Sequence, residues 1–383
     1  MKPKVFFADI RSRKSEEAAT KKVEKLFDIS DTADVIKKHD IVALKVHFGE
    51  RNNLRGLRPQ LVRVIVNKVK DLGGRPFVTD TNGCGYWRWP TRTDALRHLQ
   101  TAAENGFTSE TVGAPIIIAD GVKGLRGTWL NVNGLHFKKV NVANDIVDAD
   151  SIICISHFKG HPDAGVGGAL KNMGIGCGTK YSKARCHWDS VPKVIEEKCD
   201  GCGDCIQACP FDAMSMVDGK PVIDAEKCWM GDQACQAMCG KKAIKVVNTS
   251  TRNLSERMVD VAAAVINHVG KKKIGYFNFL NDVTAHCDCY DFGDLPVIPD
   301  IGFLASKDPV AIDRASIDLV NAAPTMKGSI AQDVKPGEDM LNTVSPQMQY
   351  WRQDKEAVDW RWQINAAKKL KLGNDEYTLV RVA

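Results

Sequence analysis

The sequence lacks the features that would place it in a membrane or on a nucleic acid. No apolar run reaches the ~18 residues of a membrane helix, and the first residues, MKPKVFFADI, lack the apolar stretch of ~7 to 15 residues that a signal peptide needs. Aromatic residues make up only 7%, and the net charge of +6 is spread along the chain without a basic block. We therefore expect a cytoplasmic protein that binds neither membranes nor nucleic acid.

Sequence motifs of several enzyme classes are also absent. No G-x-G-x-x-G run follows a strand-like segment, no glycine is followed by Lys-Ser or Lys-Thr, and there is no C-x3-C-x2-C run. These absences disfavour a built-in dinucleotide site, a Walker A nucleotide site and radical chemistry on S-adenosylmethionine.

Cysteine, in contrast, is abundant, with 13 among 383 residues. In a chain expected in the reducing cytosol, so many thiols indicate metal ligands and argue against a disulfide framework. Residues 199–210, CDGCGDCIQACP, form the run C-x2-C-x2-C-x3-C-P that bacterial ferredoxins use to hold [4Fe-4S] clusters. A zinc knuckle fits less well, because zinc sites pair two shorter cysteine units.

A second, incomplete run follows at residues 227–244, KCWMGDQACQAMCGKKAI. In two-cluster ferredoxins the last cysteine of each run ligates the other cluster. On this pattern the first cluster is held by Cys199, Cys202, Cys205 and Cys239, and the second by Cys209, Cys228 and Cys235. Between the runs, AMSMVDGKPVID alternates and contains an Asp-Gly pair, which predicts a β-hairpin. Residues 192–248 are therefore predicted to form a two-cluster ferredoxin unit.

The second cluster lacks one cysteine ligand. Counting forward from Cys228 places the missing ligand at Gly231, whereas counting back from Cys235 places it at Asp232, because this loop has one extra residue. Three outcomes stay open: a [4Fe-4S] cluster ligated by aspartate, a [3Fe-4S] cluster without a fourth ligand, or a cysteine donated by the other domain. Asp232 is the candidate ligand, and the alternative is that it is only a solvated acid of the loop. We expect the two clusters to differ in reduction potential, since cluster type and charge set it.

Outside this unit, short apolar runs alternate with polar or glycine-rich motifs and with helix-like segments. This alternation predicts an α/β fold with a mainly parallel sheet, into which the α+β ferredoxin-like domain is inserted. Residues 1–191 and 249–325 then form one sheet, and residues 326–383 form a C-terminal extension that packs on this α/β domain.

In such a sheet each polar motif follows the carboxyl end of its strand, where open α/β sheets place their ligand crevice. The residues expected at this edge are His47, Glu50, Asp80, Asn82, Cys84, His157, Lys159, His161, Lys171, Asn172, Cys177, His286, Cys287, Cys289, Lys307 and Asp308. Of the carboxylates, Asp308 precedes Pro309 and is expected to cap a helix, while Glu50 and Asp80 could be catalytic, orient the histidines or cap helices.

Three residues of this set are predicted to be catalytic, namely His157, His161 and Lys171. Glycine and proline around the two histidines break the helix that a shared metal face would need, so we expect hydrogen bonding or general acid/base catalysis. They lie in the glycine-rich stretch HFKGHPDAGVGGALKNMGIGCG, which together with Lys159 and Lys171 favours a small anionic ligand. Close backbone packing is the alternative explanation of these glycines.

The sequence HCDC contains Cys287 and Cys289, which would point the same way in an extended segment. This arrangement suits the capture of a metal or of one edge of a cluster, with Cys84 or Cys177 as further ligands of an additional site. Two ordinary reduced thiols are the alternative.

The chain resembles one family in a combination of stretches. They are VALKVHFGE, PFVTDTN, ISHFKGHPDAGVGGALKNMGIGC, the four-cysteine run, and CDC with DIGFLASKDPVAID. It is the iron-sulfur proteins that combine a domain of unknown function, DUF362, with a ferredoxin module. The resemblance implies the clusters and the architecture, and it implies no substrate.

Three functions follow as hypotheses. The first is electron transfer within a cytoplasmic oxidoreductase, with a redox partner protein or a small electron donor or acceptor. The second is assembly or maturation of a metal or iron-sulfur centre through Cys287 and Cys289. The third is a purely structural role of the clusters.

Overall fold

The computed structural model describes residues 2–84, 90–209, 211–228, 234–246, 248–349 and 356–382. The strands are, in chain order, β1 (Lys4–Asp9), β2 (Ile41–Lys45), β3 (Arg75–Asp80), β4 (Ile116–Ile118), β5 (Gly127–Asn131), β6 (Lys139–Ala143), β7 (Ser151–His157), β8 (Lys159–His161), β9 (Gly165–Gly167), β10 (Lys193–Val194), β11 (Met214–Val217), β12 (Lys220–Ile223), β13 (Ile244–Lys245), β14 (Ile274–Leu280), β15 (Gly302–Ser306) and β16 (Thr378–Arg381).

The α-helices are α1 (Ala19–Ile29), α2 (Pro59–Asp71), α3 (Ala95–Glu104), α4 (Ser109–Val112), α5 (Asn144–Val147), α6 (Ala169–Met173), α7 (Lys180–His187), α8 (Asp204–Gln207), α9 (Ala234–Met238), α10 (Thr251–Val269), α11 (Pro309–Ala322), α12 (Met340–Val344) and α13 (Arg361–Lys369). Within the described ranges, no helix is both long enough and apolar enough to cross a membrane.

Eight strands form one sheet in the order β16-β1-β15-β14-β7-β2-β3-β4. The pairs β14-β7, β7-β2, β2-β3, β3-β4 and β1-β16 are parallel, and only β15 runs antiparallel to its neighbours. The predicted α/β fold with a mainly parallel sheet is thus confirmed. The central strands β7 and β14 are buried along their whole length, as expected of strands covered on both faces.

Helices cover both faces of this sheet. On one face α2 begins at Pro59, a favoured first helical residue, and its apolar side chains recur at helical spacing. Leu61, Val62, Ile65 and Val66 are buried there, and each contributes about 1.5 to 3 kcal/mol of burial free energy as an upper estimate. On the other face α10, α11 and α13 pack around a second core that includes Trp360.

Two residues expected at the ligand-binding edge lie elsewhere, and the direction of β15 is the reason. Because β15 is antiparallel to β14, Lys307 and Asp308 follow it at the opposite edge of the sheet. Asp308 caps α11 by accepting hydrogen bonds from the N–H groups of Val310 and Ala311, so the predicted cap is confirmed. Lys307 lies 3.9 Å from a carboxylate oxygen of Asp34.

Residues 192–248, the cysteine-rich segment, contain two small antiparallel sheets, β10-β13 and β11-β12. Asp218 and Gly219 join β11 to β12 with positive φ angles of 47° and 74°, as a tight two-residue hairpin turn requires, so the predicted hairpin is confirmed. Among the described residues of this segment, the buried apolar cluster consists of Cys205, Met214 and Ile244, with partly buried neighbours.

The C-terminal residues also belong to the main sheet. Strand β16 pairs in parallel with β1 and extends the sheet at one edge. Trp360 is 3% exposed, and its indole N–H donates to a carboxylate oxygen of Asp339 at 2.8 Å. Trp351, another tryptophan of the C-terminal extension, lies outside the described residues.

Candidate functional site

A cleft opens at the carboxyl ends of the parallel strands β2, β3 and β7. Its empty volume, including open solvent at its mouth, is about 720 Å³. The side chains that line it and carry charge, thiol or amide groups are Lys45, His47, Asp80, Cys84, Arg92, His157, Lys159, His161, Lys171, Asn172, Lys183, His187 and Cys289. The sheet thus brings together motifs that lie far apart in the sequence, as their positions at strand ends predict.

The floor of the cleft is a buried ionic group around Asp80. The Lys45 ammonium donates to one carboxylate oxygen at 2.8 Å, and His47 Nδ1 lies 2.9 Å from the other. Burial raises the pKa of Asp80, but the charge of Lys45 and the hydrogen bond with His47 outweigh it, so the pKa lies well below its usual value. Lys45 also donates to the Asn172 side chain at 2.8 Å, which explains why this amide lies at the cleft.

A second buried group is formed by His157, Lys159 and Asp288. His157 Nδ1 lies 2.9 Å from the Asp288 carboxylate, and its Nε2 lies 2.8 Å from the carbonyl oxygen of Asn281. Lys159 is 3.0 Å from the same carboxylate. Because both nitrogens of the fully buried His157 face oxygen acceptors, the ring has no nitrogen available for proton transfer. This geometry indicates that His157 orders Asp288, and the catalytic role expected for it stays a prediction.

Cys287, Cys289 and His161 form a group of metal-ligating side chains whose ligand atoms all lie within 4.8 Å of one another. The segment is a turn and not an extended strand, since Tyr290 N–H donates to the Cys287 carbonyl at 3.1 Å, yet the two thiols still converge. Lys171 Nζ lies 3.7 Å from Cys287 Sγ. A hydrogen bond with Cys289, together with Lys171 and His161, holds the pKa of Cys287 well below its usual value, and that of Cys289 is raised.

The ring of His161 has a defined tautomer. Its Nδ1 accepts the N–H groups of Asp163 at 3.2 Å and Ala164 at 3.1 Å, so the proton of the neutral ring is on Nε2. The Nε2–H group is therefore the donor available to Cys287. Binding of a metal through Nε2 would require the loss of this proton, so the two sulfur atoms are the better ligands of the group.

The two other cysteines proposed for this site lie apart from it. Cys177 is fully buried in the hydrophobic core, where its thiol donates to the carbonyl of Asn172 and burial raises its pKa to about 11. Cys84 lines the cleft but packs with Ala184 and Trp188. Neither belongs to the group within 4.8 Å that the described residues contain.

The remaining predicted residues at this edge have structural partners. Glu50 is 1% exposed and accepts the Arg92 Nε–H at 2.9 Å. The Asn82 amide donates to Asp120 at 2.8 Å. The His286 ring packs edge-on against an aromatic ring 5.0 Å away, that of Phe292.

Sequence reasoning missed several residues of the cleft. Arg92, Lys183 and His187 follow no strand directly, and they reach the cleft from a short 3-10 helix, Pro90–Arg92, and from α7. Burial lowers the pKa of Lys183 to about 8. Lys45 and Asp288 were also missed, because a lysine inside an apolar strand and an aspartate between two cysteines carry no recognisable signal.

In the cysteine-rich segment, cysteines from both runs come together in two sets. Those of the first set line one small cavity, of about 320 Å³ empty volume, and are Cys199, Cys202, Cys205 and Cys239. Burial, together with the neighbouring thiols of Cys228, Cys209 and Cys205, raises the pKa of Cys235 to about 12. The first set is the grouping that the alternating pattern predicts, and the assignment of Cys209, Cys228 and Cys235 to a second cluster stays a prediction. Asp232 and Gly231, the candidate positions of the missing ligand, lie outside the described residues.

The spacing of the first set can be tested against a single ion. Four thiolates bound at about 2.3 Å to one tetrahedral ion lie closer than about 4 Å to one another. Cys199, Cys202, Cys205 and Cys239 include no three whose sulfurs all lie within 4.8 Å, although all four are described. Their all-sulfur donor set and wider spacing fit a cluster better than a single zinc ion.

The cysteine-rich segment contacts the wall of the cleft. Val246, which follows β13, packs against a small cluster formed by Cys84, Ala184 and Trp188. Trp188 forms an isolated bridge with Asn248. Since Cys84 also lines the cleft, packed side chains connect the two regions.

The fold and the cleft define an α/β protein with a histidine- and cysteine-containing site at the carboxyl edge of a mainly parallel sheet. The family described as domain of unknown function DUF362 matches residues 42–318, and the chain belongs to this family. No significant match is found among curated protein sequences.

Two solved structures show a distant likeness. The lactate racemase apoprotein from Thermoanaerobacterium thermosaccharolyticum is 11% identical over 94% of this chain and 80% of its own, with a TM-score of 0.37. A Thermotoga maritima protein, a structural genomics target, is 13% identical over 69% of this chain and 50% of its own, with a TM-score of 0.34. At these TM-scores neither likeness carries an argument about fold or activity.

Proposed function

We propose that this DUF362 protein is an iron-sulfur electron-transfer protein in which residues 192–248 form a two-cluster ferredoxin-like domain that serves the cleft. The observation that carries the proposal is the convergence of cysteines from both runs on one cavity. The proposed ligands of the first cluster are Cys199, Cys202, Cys205 and Cys239. Those of the second are Cys209, Cys228 and Cys235, with Asp232 as the candidate fourth ligand. When bound, such clusters supply one-electron transfer.

Exposure and packing support a path for electrons. Cys202 is exposed, so a partner protein or a small donor or acceptor can approach the first cluster site. Toward the other region, Val246 packs against Cys84 and Trp188 at the wall of the cleft. The segment is joined to the α/β domain at both of its ends, which limits its movement relative to the cleft.

The test is anaerobic reconstitution of the full chain with iron and sulfide. We expect about seven or eight iron atoms per chain, a broad visible absorbance and an EPR signal after reduction with dithionite. Redox titration should give two reversible couples. Absence of both optical and EPR signals contradicts the proposal, and clusters without a reversible couple support the structural alternative.

Asp232→Cys tests the fourth ligand of the second cluster. If Asp232 is the ligand, the iron count stays the same and the potential changes, because a thiolate replaces a carboxylate. A gain of about one iron atom per chain would instead indicate a [3Fe-4S] cluster in the wild type.

A second candidate function is metal handling by Cys287, Cys289 and His161, and their convergence within 4.8 Å is the observation that favours it. On this hypothesis the pair binds a labile metal and passes it on. Replacing both cysteines with serine should abolish that metal and leave the iron of residues 192–248 in place. An unchanged metal content in the double variant contradicts this candidate.

A further inference from the structure

His47, one of the histidines that line the cleft, combines an ordered ring with an accessible nitrogen. It follows β2, and its Nδ1 lies 2.9 Å from an oxygen of Asp80. Its side chain is 19% exposed and lines the cleft, and its Nε2 has no hydrogen-bond partner among the described residues. By contrast, His157 has both nitrogens engaged, and the ring of His161 is hydrogen-bonded to Cys287.

Asp80 fixes the tautomer of His47. This carboxylate also accepts from Lys45 at 2.8 Å, from Thr81 N–H at 2.8 Å and from Phe48 N–H at 3.3 Å. It is therefore a charged acceptor, and the proton of neutral His47 stays on Nδ1. The lone pair of Nε2 then points away from Asp80, on the side of the ring that is open.

The charges around His47 favour its neutral form. Burial and the positive charge of Arg92 lower its pKa, against the opposite effect of Asp80, and Lys159 lowers it further. The imidazole is therefore a base near neutral pH. When it takes up a proton, Asp80 lies in contact to stabilise the resulting imidazolium ion.

The walls of the cleft suit a small anion. Among the described residues that line it, five side chains are cationic and one, that of Asp80, is a carboxylate; the cations are Lys45, Arg92, Lys159, Lys171 and Lys183. Of these, Lys45 and Lys159 are already paired with carboxylates. Arg92 uses its Nε on Glu50, and no partner for its terminal guanidinium nitrogens is found in the described part of the chain. A guanidinium group oriented in this way can bind a carboxylate through two parallel hydrogen bonds.

We propose that the cleft is a catalytic site for a small carboxylate, in which His47 is the general base, Asp80 its positioning residue and Arg92 the carboxylate-binding group. In the step, a C–H or O–H bond of the substrate breaks and its proton passes to Nε2 of His47. The electron pair of that bond stays on the substrate as an enolate or alkoxide, which faces the lysines of the cleft. No external oxidant is needed, so the proposal is independent of the clusters.

Binding is tested with oxalate as the probe anion. Diethyl pyrocarbonate acylates accessible, unprotonated imidazole nitrogens, and peptide mass spectrometry reports the modification of each histidine. We expect His47 to react, and oxalate at about ten times its dissociation constant to slow this reaction about tenfold. His268, exposed at the end of α10, should react at the same rate with and without oxalate. No reaction at His47, or no protection by oxalate, overturns the proposal.

Proton transfer is tested with pyruvate, whose methyl protons are exchanged for deuterium in D₂O and followed by ¹H NMR. We expect the full chain to accelerate this exchange about 100-fold over buffer. His47→Gln should return it to the buffer rate, and His268→Gln should leave it unchanged. Exchange that persists in His47→Gln, or no acceleration by the wild type, overturns the proposal.

The role of Asp80 has its own spectroscopic signature. Long-range ¹⁵N NMR of wild-type His47 should show a protonated Nδ1 and an unprotonated Nε2. In Asp80→Asn the amide can accept or donate, so both tautomers should be populated and the exchange of pyruvate protons should slow. An unchanged tautomer in this variant contradicts the positioning role.

Discussion

The cysteine-rich segment and the α/β domain differ in what stabilises them. In each region a different source of free energy holds the reactive groups in place. Residues 192–248 bury an apolar cluster of three residues, whereas the sheet carries an extensive hydrophobic core on each face. The cleft of the α/β domain contains charged side chains that are almost fully buried, among them Lys45 and Asp80. A segment with so small a core needs cross-links or metal to stay folded, while a large core can hold charges in fixed positions.

Among the changes that test this difference between the two regions, loss of a proposed cluster ligand should have the largest effect. Cys205→Ser removes a proposed ligand at the buried centre of the cysteine-rich segment, so we expect the bound iron to fall by about four atoms per chain. Limited proteolysis should then cut within residues 192–248 and spare the α/β domain. Cys289→Ser is the matched control, because it removes a thiol from the cleft. An equal loss of iron in the control contradicts the separation of the two regions.

Removal of a buried charge should destabilise the α/β domain instead. Asp288 is 1% exposed and faces both His157 and Lys159, so Asp288→Asn leaves positive charge without its counter-ion. We expect the free energy of unfolding to fall by about 3 to 5 kcal/mol, measured by denaturant titration.

The control for this change is Asp291→Asn at an exposed position three residues away, which should alter the free energy of unfolding by less than about 0.5 kcal/mol. The iron content should stay unchanged in both variants. A loss of iron in Asp288→Asn would indicate that the two regions depend on each other for stability.

The two regions also differ in how much of the arrangement of their reactive side chains could be predicted from the sequence. The four cysteines that line one cavity were grouped from spacing alone, because they lie within about forty residues of one another and the motif fixes their order. For the cleft, only its place at one edge of the sheet was predicted. Its side chains come from several strands, and each strand contributes one or two of them. Spacing within one motif cannot show which of these side chains meet.

Particular residues show what was missing from the sequence-based prediction of the cleft. The direction of β15 removed Lys307 and Asp308 from the edge, and strand direction is not encoded in a short apolar run. His161 was expected to be catalytic, and it lies beside the thiols of Cys287 and Cys289. Strand β8 places it next to the turn that carries these cysteines, which is more than a hundred residues later in the chain. Asp80 was identified as a residue that could orient a histidine, and it contacts His47.

Acid should weaken the α/β domain through His98. Its ring is fully buried and burial lowers its pKa to about 4 from an ordinary value of 6.5. Between these two pH values the unfolded chain binds the proton more tightly, so the free energy of unfolding falls as pH decreases through this range. The contribution of His98 reaches about 3 kcal/mol at the acid end.

His98→Gln should remove this contribution, and the difference from the wild type is to be measured by denaturant titration at several pH values. The free energy of unfolding should depend less steeply on pH in the variant, over the range between the ordinary and the lowered pKa of His98. His268→Gln, at an exposed position, should leave the slope unchanged. An unaltered slope in His98→Gln would mean that other buried groups account for the acid sensitivity.

The smallest loss in the free energy of unfolding is expected from a change that shifts the backbone of β8 beside Cys287. A Cβ on Gly160 would lie 2.6 Å from the carbonyl oxygen of Ala285, so Gly160→Ala must push β8 away from the segment that carries Cys287. We expect a loss of about 1 to 3 kcal/mol in the free energy of unfolding, as for other overpacked sites. Gly56→Ala is the control, because a Cβ there meets nothing within 4 Å.

The same displacement should change the chemistry of the cleft and leave the cysteine-rich segment as it is. His161 follows Gly160 directly, so its N–H donor moves away from Cys287 and the pKa of that thiol should rise toward its usual value. Because Cys287 is buried, its ionisation is to be followed by the ultraviolet absorbance of the thiolate during a pH titration, with the matching Cys287→Ser variant as background. The thiolate should form at higher pH in Gly160→Ala than in Gly56→Ala. Equal titration of the two variants would show that Lys171 and Cys289 suffice to stabilise the thiolate, and that His161 contributes little to it.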